Sequence, residues 1–150
     1  MDHLVDALIG RFQARAAAGR LALRAETSAD AATAIGDRAK TDQALQNIVD
    51  NALKFTRAGE VVVTAGVDRD RVELTVRDTG PGIPSRDLSR IFERFYKVDR
   101  SRGGLPGSGL GLSIARHLVE LQGGTIVAES SGDSGTIVRV RLPRGPLTSP

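Results

Sequence analysis

Arg71-Val72-Glu73-Leu74-Thr75-Val76-Arg77-Asp78-Thr79-Gly80-Pro81-Gly82-Ile83 is the stretch on which the reading of this chain turns. Up to Arg77 it alternates polar and apolar residues, the signature of a half-buried strand. Side chains of a strand return to the same face every second residue, so Val72, Leu74 and Val76 face a core and Asp78 falls on that face with them. A carboxylate aimed into an apolar layer is costly unless donors satisfy it. Gly80 and Gly82 just beyond let the backbone turn and let a flat ligand approach. A purine amino group would supply such a donor. The same residues also suit a strand that ends at the surface with Asp78 opening a turn.

Working outward, residues 60–67 read as a strand, 68–70 as a turn and 71–78 as the returning strand of an antiparallel hairpin. Before them the spacing predicts a helix from about Arg38 to Thr56, with Asp37 as N-cap and Gly59 just past its end. Projected at about 3.6 residues per turn, Leu45, Ile48, Val49 and Ala52 gather on one side, with Asn47, Asn51 and Lys54 opposite. That polar row fits an ordinary solvated face. Two asparagines are poor helix formers, however, and amide, amide and ammonium in line could also hold a hydrated cation and phosphate. Further upstream, Leu4, Leu8, Phe12 and Ala16 mark a helix over residues 2–18, closed by Gly19, and Leu21-Ala22-Leu23 an edge strand. Residues 26–35 are small and polar, with no readable path.

Downstream, Pro84 opens a helical turn through Leu88, and Ile91-Phe92-Glu93-Arg94-Phe95-Tyr96 collects most of the aromatic residues. Residues 97–106 are polar, basic and glycine-rich without a sustained period, the composition of a functional lid or of disorder. They lead into Gly107-Ser108-Gly109-Leu110-Gly111-Leu112 and a helix with Leu110, Ile114, Leu118 and Leu121 on one side. Amides at a helix start, unobstructed by side chains, bind phosphate; close helix packing would need glycine as well. The pattern is neither a Rossmann fingerprint nor a P-loop. Residues 125–130 and 136–142 form a closing hairpin, and 143–150 a tail.

Composition removes several alternatives. With 150 residues the chain suits one domain; it has no cysteine, hence no disulfide framework, and only two histidines. Net charge is +3 with charges interspersed, and aromatic content is 3%, which argues against a nucleic-acid surface. No apolar run spans a bilayer and no signal peptide is evident, so a soluble, cytoplasmic chain is expected. Eleven of the 17 glycines lie between Gly80 and Gly135, as backbone-lined loops require.

A carboxylate for an amino-purine, an Asn/Asn/Lys face and a glycine-lined helix start converge on a nucleotide. At this point the chain resembles sensor histidine kinases. Asn47-Ile48-Val49-Asp50-Asn51-Ala52-Leu53-Lys54-Phe55 looks like their N box, Asp78–Ile83 their G1 box, Phe92–Tyr96 their F box, Gly107–Leu112 their G2 box, and Gly135-Thr136 their final glycine motif. The resemblance covers roughly residues 20–143. The wider superfamily includes type II topoisomerases, Hsp90 and MutL, and the F box followed by the lid selects the kinase branch.

The resemblance implies a Bergerat-type, two-layer α/β sandwich: a mixed, mainly antiparallel sheet with helices on one face and ATP beneath the lid. It implies that Asp78 accepts from the adenine amino group and that Asn51 ligates Mg²⁺, supported by Asn47. Lys54 and Lys97 would offset phosphate charge, and the amides of Gly107, Ser108, Gly109, Leu110, Gly111 and Leu112 would hold the triphosphate. Gly80, Gly82, Ile83, Tyr96 and Thr136 would line the nucleotide; Asn47, Lys54 and Lys97 are the expected catalytic residues. Residues 1–19 are expected to be the end of a dimerisation hairpin or a linker helix, 20–143 the ATP-binding domain and 144–150 a disordered tail.

Two departures stand out. Phe55 replaces a frequent Tyr, so a hydroxyl contact to phosphate is lost. The acceptor motif, a His followed by an acid, is missing: Leu4 follows His3 and Leu118 follows His117. The expected partners are therefore a histidine-containing dimerisation domain outside this chain and a response regulator, with no nucleic acid and no direct membrane contact. The fragment is expected to be monomeric, its parent a homodimer anchored in the membrane. Two other functions fit the same boxes, an anti-sigma-type serine kinase and a non-enzymatic ATP sensor.

Overall fold

The computed structural model describes residues 3–28, 37–96, 110–130 and 135–144. In chain order its elements are α1 (His3–Ala18), β1 (Leu21–Thr27), α2 (Arg38–Phe55), β2 (Gly59–Asp68), β3 (Arg71–Asp78), the single turn α3 (Ser85–Leu88), α4 (Gly111–Leu121), β4 (Thr125–Ser130) and β5 (Thr136–Pro143). The strands form one sheet in the order β1-β2-β3-β5-β4. β1 runs parallel to β2 and every other pair is antiparallel. This is the mixed, mainly antiparallel sheet of a two-layer α/β sandwich.

β3 is the middle strand, and this gives Asp78 its setting. Asp78 pairs with Val61 of β2 on one side and with Thr136 of β5 on the other. Val72, Leu74 and Val76 are buried as strand parity requires. Their face continues through Val61, Val63 and Ala65 of β2 and Val138, Val140 and Leu142 of β5, and all of them belong to the main core. Each fully buried aliphatic side chain of this kind contributes about 1.5–3 kcal/mol. The opposite face carries Glu73, Glu129, Arg139 and Arg141 joined in ion pairs, beside the buried Val62.

α2 starts where Asp37 accepts a hydrogen bond from the Lys40 amide at 3.0 Å, the geometry of an N-cap. Leu45, Ile48, Val49, Ala52 and Leu53 turn into the core. α1 belongs to the same core through Leu4, Val5, Leu8 and Ala16. At its end the Gly19 amide donates to the Arg15 carbonyl.

α4 meets the core chiefly through a stripe beside the Leu110–Leu121 one, although Leu118 of that stripe is half-buried and packs against the core too. Leu112, Ala115 and Val119 are buried, whereas Ile114 and Leu121 are 43% and 57% exposed. The helix carries two apolar stripes, and the one containing Ala115, the smaller side chain, lies against the core, where it permits closer approach. Among the described residues no helix is long and apolar enough to cross a membrane.

Candidate functional site

Asp78 sits at the end of β3, half-buried, and its Oδ1 accepts from the Gly80 amide at 2.9 Å. This turn folds the loop back toward α2: a Cβ on Gly80 would lie 3.2 Å from the Phe55 carbonyl oxygen and 3.0 Å from Asp78 Oδ1. Gly82 has φ +80°, a backbone conformation open to glycine and strained for other residues. The Ile83 amide donates to Ser130 Oγ at 2.9 Å, and Ser130 Oγ donates in turn to the Gly135 carbonyl at 2.9 Å. Ser130 thus ties the Gly80–Ile83 loop to the end of the β4–β5 hairpin. Gly135, φ +90°, approaches so closely that a Cβ there would stand 2.0 Å from the Asp78 carbonyl oxygen. Thr136 beside it is buried.

On α2, Asn47, Asn51 and Lys54 are all half-exposed, in line on the side away from Leu45 and Ile48. Asn47 Oδ1 accepts from Gln43 Nε2 at 3.2 Å, while Asn47 Nδ2 is buried with no hydrogen-bond partner. A buried unpaired donor costs about 1–3 kcal/mol, and a phosphate oxygen or a metal-bound water would relieve it. Lys54 Nζ lies 3.2 Å from Asp50 Oδ2. Burial pushes the Asp50 carboxyl up, but hydrogen bonds from Arg15 and Lys54 outweigh it and hold the group below the usual carboxylate range.

α4 packs along α2 and begins at Gly111 with Leu110 in the cap position and no side-chain cap. A Cβ on Gly111 would meet nothing within 4 Å, so packing does not demand glycine there. The first turn therefore offers backbone donors and open space. Leu112 turns inward instead and is buried. Lys97, Gly107, Ser108 and Gly109, with the expected lid, lie outside the described residues.

Tyr96 is held otherwise than the sequence suggests. Its hydroxyl donates to Asp87 Oδ1, and the Arg90 guanidinium stacks 4.6 Å from its ring centroid. The hydrogen bond to Asp87 holds the Tyr96 hydroxyl above its ordinary pKa. Asp87 itself is only 6% exposed, a buried acid whose partner is the last residue of the F box. Sequence reasoning missed Asp87, Ser130 and the Arg15–Asp50 contact, because each joins residues separated in the sequence, by 9, 47 and 35 positions, and carries no local pattern.

Among the described residues there is no group of three or more His, Cys, Asp or Glu able to hold a metal alone. The donors present, side-chain amide oxygens on α2, fit Mg²⁺, which takes few protein ligands and completes its shell with other oxygens and water.

Residues 36–146 match the family described as histidine kinase-, DNA gyrase B- and HSP90-like ATPases. Sensor histidine kinase WalK of Bacillus subtilis is 40% identical over 111 residues, covering 71% of this chain and 18% of WalK. Virulence sensor protein BvgS of Bordetella bronchiseptica is 46% identical over 112 residues, 71% of this chain and 9% of BvgS. The chain thus spans less than a fifth of each. Among solved structures, full-length ShkA in complex with AMPPNP superposes with a TM-score of 0.85 at 31% identity, covering 95% of this chain and 29% of that one. The mycobacterial sensor histidine kinase MprB gives 0.81 at 30% identity, with 97% of each chain covered. With the Asp78 loop, the Asn47–Lys54 row and the start of α4 arranged on this sheet, the chain belongs to the histidine kinase-, DNA gyrase B- and HSP90-like ATPase family, as the ATP-binding domain of a sensor histidine kinase.

Proposed function

We propose that this domain binds Mg-ATP and donates its γ-phosphoryl group to a histidine on a separate dimerisation domain. An imidazole nitrogen would attack the γ-phosphorus, the bond to the β–γ bridging oxygen would break, and ADP would leave as the imidazole proton passes to solvent. A response-regulator aspartate would then receive the phosphoryl group. The observation that carries this reading is the buried, partnerless Asn47 Nδ2 in line with Asn51 and Lys54. It is a donor waiting for an acceptor, on the face where phosphates would lie.

Each residue then has a physical task. Asp78 accepts from the adenine amino group, with Gly80 fixing the carboxylate's direction. Asn51 would supply an oxygen to Mg²⁺, which would offset phosphate charge. Lys54 leaves Asp50 to meet a phosphate oxygen, and the α4 amides hold the triphosphate. Phosphoryl transfer asks chiefly for such positioning and charge neutralisation. The parent would be a membrane-anchored homodimer, and the fragment alone a monomer.

Two experiments test this. Calorimetric titration should give tight binding of Mg-ATP and much weaker binding of Mg-GTP, and Asp78→Asn should abolish the difference, because its amide presents a donor to the amino group. Equal ATP affinity in the variant would remove the adenine assignment. A separately made acceptor hairpin carrying its histidine should take label from γ-labelled ATP. Labelling of a serine substrate instead would favour the serine-kinase reading, and binding without any transfer the ATP sensor.

A further inference from the structure

Asp50 is a junction between α1 and the nucleotide face of α2. Arg15 reaches across from α1, with Nη1 donating to Asp50 Oδ1 and Nη2 to the Asp50 carbonyl oxygen at 3.3 Å. Lys54, one turn further along α2, holds the other carboxylate oxygen, Oδ2, at 3.2 Å. One carboxylate is therefore shared between two cations on different helices. An acid four residues before a lysine is the favoured order for a helical ion pair. Left alone with Lys54, Asp50 would keep that ammonium on the helix surface and away from any ligand.

We infer that Arg15 is a positioning residue for Lys54: by occupying Asp50 from α1, it leaves the Lys54 ammonium loosely held and available to a nucleotide phosphate. The inference rests on the reading of Lys54 as a phosphate contact. Arg15 is suited to the task. Its neighbour Ala16 is fully buried, so the backbone that carries it is fixed. Its guanidinium lies 6.0 Å from the Phe12 ring centroid, which favours one side-chain direction. A guanidinium making two contacts to one residue is also a stronger partner for Asp50 than the single ammonium of Lys54.

The molecule provides its own control. One turn earlier on α1, Arg11 Nη2 pairs with Asp42 Oδ1 at 2.6 Å, also across to α2. That pair joins the same two helices, yet Asp42 does not bind Lys54. Loss of Arg11 should loosen the helix contact without changing the charge seen by Lys54.

The test is calorimetry with Mg-ATP and with adenosine on the intact chain. Arg15→Gln should weaken Mg-ATP binding about three- to five-fold, the size of a partly exposed ion pair, while adenosine affinity stays as in the wild type. Arg11→Gln should change neither. In an Asp50→Asn background, Arg15→Gln should have no effect, since the competitor for Lys54 is gone. The inference is overturned if Arg15→Gln matches Arg11→Gln, if adenosine binding falls as far as ATP binding, or if the effect persists without Asp50. Lys54→Ala separates the layers: unchanged ATP affinity there removes the phosphate role of Lys54 and the inference with it. A loss there alongside an inert Arg15→Gln overturns the inference alone.

Discussion

Gly135 and Gly10 show how differently two glycines constrain the molecule. Gly135 has φ +90° and stands against the Asp78 carbonyl, where a Cβ would meet backbone at 2.0 Å. Gly135→Ala must therefore displace the end of β3, at a cost of about 1–3 kcal/mol from steric and backbone strain together. Because the displaced atom belongs to Asp78, adenosine affinity should fall along with thermal stability. Gly10, inside α1 with nothing within 4 Å, is the opposite case: Gly10→Ala should stabilise by about 0.5–1 kcal/mol through helix propensity. Melting curves of both variants, with adenosine titrations, check the pair, and a neutral Gly135→Ala would mean the hairpin end yields freely. The place of Asp78 was legible from strand parity alone, because a period of two leaves no freedom once Val72, Leu74 and Val76 are assigned inward. Ser130 was not legible. Its partner Ile83 is 47 residues away in sequence, and a serine near a strand end has no pattern to announce it.

At the scale of elements, the strands and the inward face of α2 were the more readable part and the face of α4 the less. β3 follows from alternation, and β2 and the register follow from the hairpin that joins them. On α4, Leu110, Ile114, Leu118 and Leu121 form as regular a stripe as Leu112, Ala115 and Val119, and packing against α2 decides which is buried more deeply. The outward face of the sheet carries a second, electrostatic level of organisation that alternation cannot predict. Glu73 on β3 accepts from Arg139 Nη1 at 2.8 Å and Arg141 Nε at 3.0 Å on β5. The Arg141 hydrogen bond, against a desolvation penalty and with help from Arg139, holds the Glu73 carboxyl below the usual glutamate range. Glu73 therefore binds its proton less tightly when folded than when unfolded. The resulting stability is present above the unfolded glutamate pKa of about 4.3 and is lost as pH falls through the lower folded value. Wild type should exceed Glu73→Gln by about 0.5–1 kcal/mol at neutral pH. That gap should close as denaturant midpoints are followed below about pH 4. A gap that stays constant to pH 3 would assign the effect to packing instead of charge.

The whole molecule unites α1 with the sheet and with α2. The core runs without a break from Leu4, Val5, Leu8 and Ala16 of α1 through β1 to α2, and the Arg15–Asp50 contact rides on that packing. Gln13 Nε2 adds a hydrogen bond to the Leu23 carbonyl at 2.9 Å, fixing α1 against β1 from its polar side. If α1 were only an appended helix, it would melt before the sheet. A shared core predicts a single cooperative transition instead. Leu8 is the residue to test, being fully buried between the layers. Leu8→Ala should cost about 2–5 kcal/mol from lost transfer energy and the cavity left behind. For a domain of this size that lowers the melting temperature by about 5–15 °C. The informative comparison uses two probes, far-UV circular dichroism for the whole domain and a fluorophore placed on exposed Ala14 for α1 alone. Coincident curves in the wild type and the variant, both displaced together, would make α1 a structural part of the ATP-binding unit. A separate early transition at the α1 probe, with the sheet melting unchanged in Leu8→Ala, would make it an appendage, and would leave Arg15 no fixed platform from which to hold Asp50.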